Sequence, residues 1–333
     1  MQKDYLGDQI VSTIYFGGGT PSVLGVDELK VIFDRLYSLF HIEENAEITL
    51  EANPDDVNSE WVREMRSTPV NRISMGVQSF RDDDLRYLNR VHTAGEAISA
   101  IKHLQDGGIP EITVDLIYGI PGLGLKDWEQ NLKKFFSLSI PHLSAYALTV
   151  EEKTPLHVLI AKKKMEAPDE MASVDHFKLL LELCRRQGYL HYEISNFALE
   201  GHYSRHNSLY WTGGHYLGLG PSAHSFNGRS RRWNVSSIKK WLEGPEAYQE
   251  TFEEEVLSKE QRYNEYVMTS LRTMWGCDTR IVNLEFGEAF SDHLMREARQ
   301  HITAKKLVLS EGSLFLTDKG KLFADGIASD LFI

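Results

Sequence analysis

Glycines 17–19, followed by Thr20 and Pro21, close an apolar run from Val11 to Phe16. Bare backbone at the carboxyl end of a strand lets N–H groups approach a charged small molecule, and a helical pattern starting near Val26 would face that molecule with its amino end. The spacing is neither G-x-G-x-x-G nor a P-loop, and glycine-rich strand–helix turns also arise from packing, so the turn alone divides evenly between binding and packing. Three further strand ends are polar: Glu51-Ala52-Asn53-Pro54, the run Ser74 to Phe80 with Gln78 at its rim, and Asp115 between Val114 and Leu116. A carboxylate among apolar strand residues is costly unless paired or bound. Each of these groups alone reads first as a satisfied core polar residue. Four such ends together point to a ligand site at the carboxyl edge of a sheet, suited to a ribose, an amino acid and a charged head group.

A second concentration of chemistry lies between His191 and His224, where His191, His202, His206, His215 and His224 are five of the 13 histidines. Neutral imidazole is a common ligand of zinc and of haem iron. His202 and His206 are four apart but lack the helix and glutamate of a zinc-protease motif. On spacing, a histidine-rich loop and a ligand site fit equally, and Tyr210 and Trp211 favour a flat apolar guest over a bare ion. Arg229, Arg231 and Arg232 read either as partners for acidic groups of such a guest or as a solvated loop.

The elements that must position these groups alternate. Strands are expected at 12–16, 48–51, 72–78, 112–118, 142–148 and 192–196, and helices at 27–40, 59–65, 94–106, 125–138 and 169–187. Strand–helix alternation specifies parallel pairing with right-handed crossovers. The fold expected is α/β, a partial parallel (β/α) barrel over 1–225, with an open doubly wound sheet as the alternative. Residues 226–257 carry charge runs and read as a connecting segment. Beyond 258, helices at 259–273, 281–286 and 292–304 precede a hairpin turning at Glu311-Gly312, and Thr317 caps a last helix, a small winged-helix-like outline. Between Val256 and Ile333, 10 Lys and Arg face 11 Asp and Glu. With a net charge of −12 and a pI near 5.6, this argues against nucleic acid and for packing or docking. No apolar run suits a membrane span and no signal peptide opens the chain, so a cytoplasmic protein is expected. Cys184 lies in an apolar helical stretch and reads as a buried reduced thiol; with Cys277 it forms no metal motif.

Taken in order, GGGTPS, ITLEANP, RISMGVQSF, LNRVH, VDLIYGIPG, LSAYALT, HYEISNFA, RHNSLYW and LGLGPSAHSF resemble the oxygen-independent coproporphyrinogen III oxidase family of the radical S-adenosylmethionine (SAM) superfamily, nearest its HemW-type haem-chaperone branch. The resemblance implies a radical SAM barrel with its first strand missing and a HemN C-terminal-like domain over 258–333. It implies SAM contacts from Gly18, Gly19 and Thr20, a grip on the amino-acid portion of SAM by Glu51, and a second SAM or substrate pocket lined by Gln78, Arg90 and Asp115. Thr149 and His224 complete the implied cofactor-binding set, and His206 is the implied haem-iron ligand. The function implied is binding of haem or porphyrin and delivery to haem-accepting proteins. The alternatives are the oxidase itself and, in another class, a cluster-free binding or scaffold protein.

The family also implies a [4Fe–4S] cluster held by a Cys-x-x-x-Cys-x-x-Cys loop ahead of the glycine turn. No such loop is present here, and two cysteines cannot supply three thiolates. The expectation is a missing N-terminal segment, no cluster on the chain as given, and a first strand exposed as an edge through which the chain could dimerise.

Overall fold

The computed structural model describes residues 2–243 and 251–333. Contacts divide the chain into two units, Ser12–Ser38 with Glu44–Ser204, and Met1–Val11 with Leu39–Glu43 and Arg205–Ile333. The boundary falls at 204/205 instead of 225/226, because the stretch read as the end of the barrel and the connector folds with the C-terminal module.

The first unit is built on β1 (Val11–Phe16), α1 (Val26–Leu39), β2 (Ile42–Ala52), α2 (Ser59–Met65), β3 (Arg72–Gln78), α3 (Asp82–Tyr87), α4 (Ala94–Asp106), β4 (Ile112–Tyr118), α5 (Leu125–Ser137), β5 (His142–Ala147), α6 (Pro155–Ala161), α7 (Glu170–Arg186), β6 (Leu190–Glu193) and β7 (Asn196–Ala198). They form a seven-stranded sheet in the order β1-β2-β3-β4-β5-β7-β6, with β1 at one edge. The pairs β2–β3, β3–β4 and β4–β5 are parallel. The helices follow from their spacing: α4 buries Ala97, Ala100, Ile101 and Leu104 at 3–4-residue intervals, and its start is fixed by a capping box between Thr93 and Glu96. Leu50, Ile73, Val114 and Leu143 are fully buried in the sheet, each stabilising the fold by about 1.5–3 kcal/mol relative to exposure.

The expected sixth parallel strand at 192–196 is instead two antiparallel strands. Glu193 turns the chain, its carboxylate accepting from the Ser195 N–H at 3.2 Å and from Asn196 Nδ2 at 2.7 Å. β7 then returns antiparallel to both β6 and β5. A parallel return would need a crossover of about a dozen residues, and two are available. At the amino ends of the parallel strands, Arg72 is buried between Glu47 (3.6 Å) and Glu111 (3.3 Å) and donates to Thr113 and to the His202 carbonyl. His202 in turn bonds Glu111 at 2.8 Å. This cluster ties residues 199–204 under the sheet.

The second unit contains α8 (Arg205–Trp211), β8 (His224–Phe226), β9 (Ser230–Asn234), α9 (Ile238–Leu242), β10 (Phe252–Val256), α10 (Lys259–Leu271), β11 (Cys277–Asp278), α11 (Thr279–Phe286), α12 (Glu288–Thr303), β12 (Leu307–Ser310), β13 (Ser313–Leu316), α13 (Asp318–Lys321) and α14 (Ala324–Asp330). Residues 226–257 are therefore not a plain connector: β8, β9 and β10 make an antiparallel sheet. The charge runs are its cross-strand partners, with Glu254 opposite Arg232 and Glu255 opposite Arg231. Arg232 pairs with Glu254 at 3.1 Å between the rings of Tyr5 and Phe252, and Arg231 pairs with Glu265 at 2.7 Å. These two arginines are structural partners, not a solvated loop. The hairpin β12–β13 turns at Glu311 and Gly312, both at positive φ, and Thr317 caps α13 as expected.

His92, His142 and His176 are almost wholly buried, and burial holds each imidazole below its ordinary pKa, His142 furthest. The unfolded chain binds protons at these residues first as pH falls below about 6.5, so the folded state loses stability progressively, and the loss levels off only below the depressed folded values. Urea unfolding is expected to show a loss of about 2 kcal/mol between about pH 7 and pH 5.5. A flat profile would contradict neutral buried rings.

Candidate functional site

The carboxyl ends of β1 to β4 converge on a cleft of about 180 Å³ lined by Gly19, Thr20, Pro21, Glu51, Ala52, Asn53, Ser74, Gly76, Gln78, Arg90 and Asp115. Six residues singled out in the sequence are among them: Gly19, Thr20, Glu51, Gln78, Arg90 and Asp115. Gly18 adjoins them, its N–H donating to Glu51 Oε2 at 3.2 Å, and the Tyr15 hydroxyl donates to Glu51 Oε1 at 2.7 Å. The glycine at 17 is required by this arrangement, since a Cβ there would sit 2.5 Å from the Tyr15 ring and 2.7 Å from Glu51 Oε1. Gly18 itself has φ 80°.

Across the cleft, one Arg90 nitrogen donates to Asn53 Oδ1 at 2.7 Å and to the Gly76 carbonyl at 3.1 Å. Asp115 lies deep, and burial pushes its carboxyl up to about 7, with Ser144 and Arg90 acting to lower it and Glu51 to raise it. That proton opposes the effect of the buried histidines, since the folded state holds it to about pH 7 while a free carboxyl loses it near pH 4. Beyond Asp115 the polar chain continues: the Ser144 hydroxyl donates to Asn196 Oδ1 at 2.8 Å, and Asn196 donates to Glu193. Tyr146 is half exposed beside this chain, its phenol raised to about 12 by burial and Asp115. The cleft thus presents two carboxyl groups, one guanidinium and bare backbone to a small polar guest.

Gln78 enters this cleft from a strained backbone. β3 slips against β4 between Met75 and Gln78, and Gln78 has φ 68°. Gly76 makes room for it, because a Cβ at 76 would lie 2.8 Å from Gln78 Nε2. Asn53, Gly76 and Tyr15 were not singled out as binding residues from sequence. The signal available was a glycine inside the strand run SMGVQ, which marks a bulge or close approach.

Thr149 is exposed on the chain beyond β5, with its hydroxyl turned to the Ala147 carbonyl at 3.4 Å, and does not line the cleft. Within each unit the histidines meet separate partners. In the first unit, His191 stacks on Phe197 with its Nε2 on the Ile194 carbonyl, and His202 is tied to Glu111. In the second unit, His215 bonds Gln9 at 2.7 Å and His224 is exposed at the start of β8. His206 stands on α8, half buried, its Nε2 3.2 Å from the Tyr210 hydroxyl. Tyr210 meets Tyr216 edge to face, and Tyr216 lies against Phe226. This is an aromatic surface around one imidazole. Among the described residues no three His, Cys, Asp or Glu side chains are grouped to hold a metal ion.

Residues 2–135 match the Radical SAM superfamily, and residues 257–323 match the HemN C-terminal domain. The chain is 32% identical to heme chaperone HemW of Lactococcus lactis, over 92% of this chain and 81% of that protein. It is 31% identical to heme chaperone HemW of Bacillus subtilis, over 96% and 85% respectively. Its fold is similar to coproporphyrinogen III oxidase (HemN) from Escherichia coli, with a TM-score of 0.82 at 21% identity, over 97% of this chain and 78% of that one. The chain belongs to the HemW-like radical SAM proteins. That family uses SAM and a [4Fe–4S] cluster. Clusters need thiolates, and this chain has two cysteines, both buried, with burial raising both thiols. These two residues do not fit such a cluster.

Gln78 gives the site a stability signature. Substituting glycine where a side chain is held at positive φ relieves strain of about 1 kcal/mol or more. Gln78→Gly is expected to raise the urea midpoint of unfolding, although it removes a side chain from the cleft. A lower midpoint would mean the amide stabilises the fold instead.

Proposed function

We propose that the cleft binds SAM and that the chain binds haem through His206 and passes it to haem-accepting proteins. The observation carrying the first part is the convergence of Gly19, Thr20, Glu51, Gln78, Arg90 and Asp115 on one cavity. SAM carries an ammonium, a sulfonium and a carboxylate, so its cationic groups suit Glu51, while backbone N–H groups and Arg90 suit its carboxylate or ribose hydroxyls. When bound, SAM supplies a sulfonium open to cleavage by an electron donor. The residues of this chain bind and orient it: Tyr15 and Gly18 fix the Glu51 carboxylate, and Arg90 is aimed by Asn53 and Gly76. Thr149 and His224 stay in the proposed cofactor-binding set on the strength of the family pattern alone.

The haem part is supported by His206 within the aromatic surface of Tyr210, Tyr216 and Phe226, and by the names of the HemW relatives. No helix among the described residues is long and apolar enough to cross a membrane, and a cytoplasmic location is part of this reading. So is a dimer formed through β1, which stands at the sheet edge.

Calorimetric titration tests the cleft: Glu51→Gln and Arg90→Ala are each expected to weaken SAM binding about tenfold or more. A wild-type chain that binds no SAM would end this part of the proposal. Haem titration tests the other: the Soret band of added haem should shift, and His206→Ala should weaken binding about tenfold. The exposed His41→Ala serves as control, and equal losses in both variants would mean generic surface coordination.

A further inference from the structure

We propose that His92 is a positioning residue for the cleft: it grips the Val77 carbonyl and so holds the turn that delivers Gln78 to the ligand. The proposal rests on the reading of the cleft as a SAM site. Where β3 slips against β4, the Ser79 N–H donates to the Val77 carbonyl at 2.9 Å, closing a three-residue γ-turn around Gln78. A γ-turn with its central residue at φ 68° is strained, and such strain persists only where the surroundings over-determine it.

Two buried anchors do so. On the far side of the turn, Asn131 Oδ1 accepts from the Phe80 N–H at 2.6 Å, and the Ser79 hydroxyl donates to Asp84 Oδ2 at 2.7 Å. On the near side, His92, 2% exposed, places Nε2 3.0 Å from the Val77 oxygen. A carbonyl can only accept, so Nε2 carries the ring proton and the Val77 oxygen receives two N–H donors. His92 Nδ1 is buried without a hydrogen-bond partner, 3.7 Å from Asp55 Oδ1. The ring therefore spends its one donor on the turn. It does not line the cleft, and it acts on a ligand through Gln78.

The test is a mutant cycle read by SAM calorimetry and by amide hydrogen exchange at Ser79, on the full chain. His92→Leu removes the donor at similar volume and is expected to weaken SAM binding about tenfold. His92→Gln keeps an N–H at matching reach and should restore affinity to within about threefold of wild type. In a Gln78→Ala background, His92→Leu should cost no further affinity. Equal losses in both backgrounds, or no loss in the wild-type background, would overturn the proposal. Exchange needs no ligand: the Ser79 amide should exchange about tenfold faster in His92→Leu but not in His92→Gln, with the β12–β13 hairpin unaffected. An unchanged Ser79 amide refutes the clamp whether or not SAM binds. Failure of the SAM reading is seen separately, as absence of binding to the wild-type chain.

Discussion

Glu51 is the residue on which the cleft depends. A carboxylate at the end of a largely buried strand is tolerable only where hydrogen bonds replace water, and here the replacements come from the first strand and its turn. Tyr15 supplies a hydroxyl and Gly18 an amide, one to each carboxylate oxygen. Both can reach because residue 17 has no side chain. The triple glycine is thus as much a device for seating a carboxylate as for admitting a ligand. Each Glu51 oxygen retains acceptor capacity, and that remainder faces the cleft.

The sheet distributes its polar groups by end. At the amino ends of the strands, Arg72, Glu47, Glu111, Thr113 and His202 satisfy one another. Breaking one member of such a buried set would be costly, because the remaining charge has no water to turn to. At the carboxyl ends the charges are only partly matched: Arg90 is fixed by an amide oxygen and a carbonyl, not by either carboxylate. Asp115 resolves its own burial by holding a proton near neutral pH. Self-satisfied charges at one end and incompletely paired ones at the other are what separate a clasp from a binding site.

Much of this was legible in the sequence where period and punctuation agree. Residues 59–65, 72–78, 94–106 and 112–118 fold with the bounds their patterns imply, since apolar spacing and end signals such as Thr93 with Glu96 act locally. The run HYEISNF failed because a glutamate turning back onto the residues two and three positions on leaves no periodic trace. The charge runs at 229–232 and 253–255 failed because a cross-strand register, not composition, decides whether opposite charges meet. The site residues were nameable from motifs, yet their mechanics were not. That Gln78 sits at φ 68°, and that a histidine 15 residues away along the chain shares the Val77 carbonyl with Ser79, are facts of tertiary placement.

The histidine-rich segment shows the same limit from the other side. Counted along the chain it resembles a ligand cluster, but an imidazole has two ring nitrogens, and a protein bond at one fixes the ring while leaving the other able to ligate. His191, His202 and His215 each direct one nitrogen to a carbonyl, a carboxylate and an amide respectively. His206 has Nε2 3.2 Å from the hydroxyl of Tyr210, which lies one helical turn on. Tyr210 packs edge to face against both His206 and Tyr216. Spacing put five histidines within 34 residues; which partner each ring meets is set by the fold and not by that spacing.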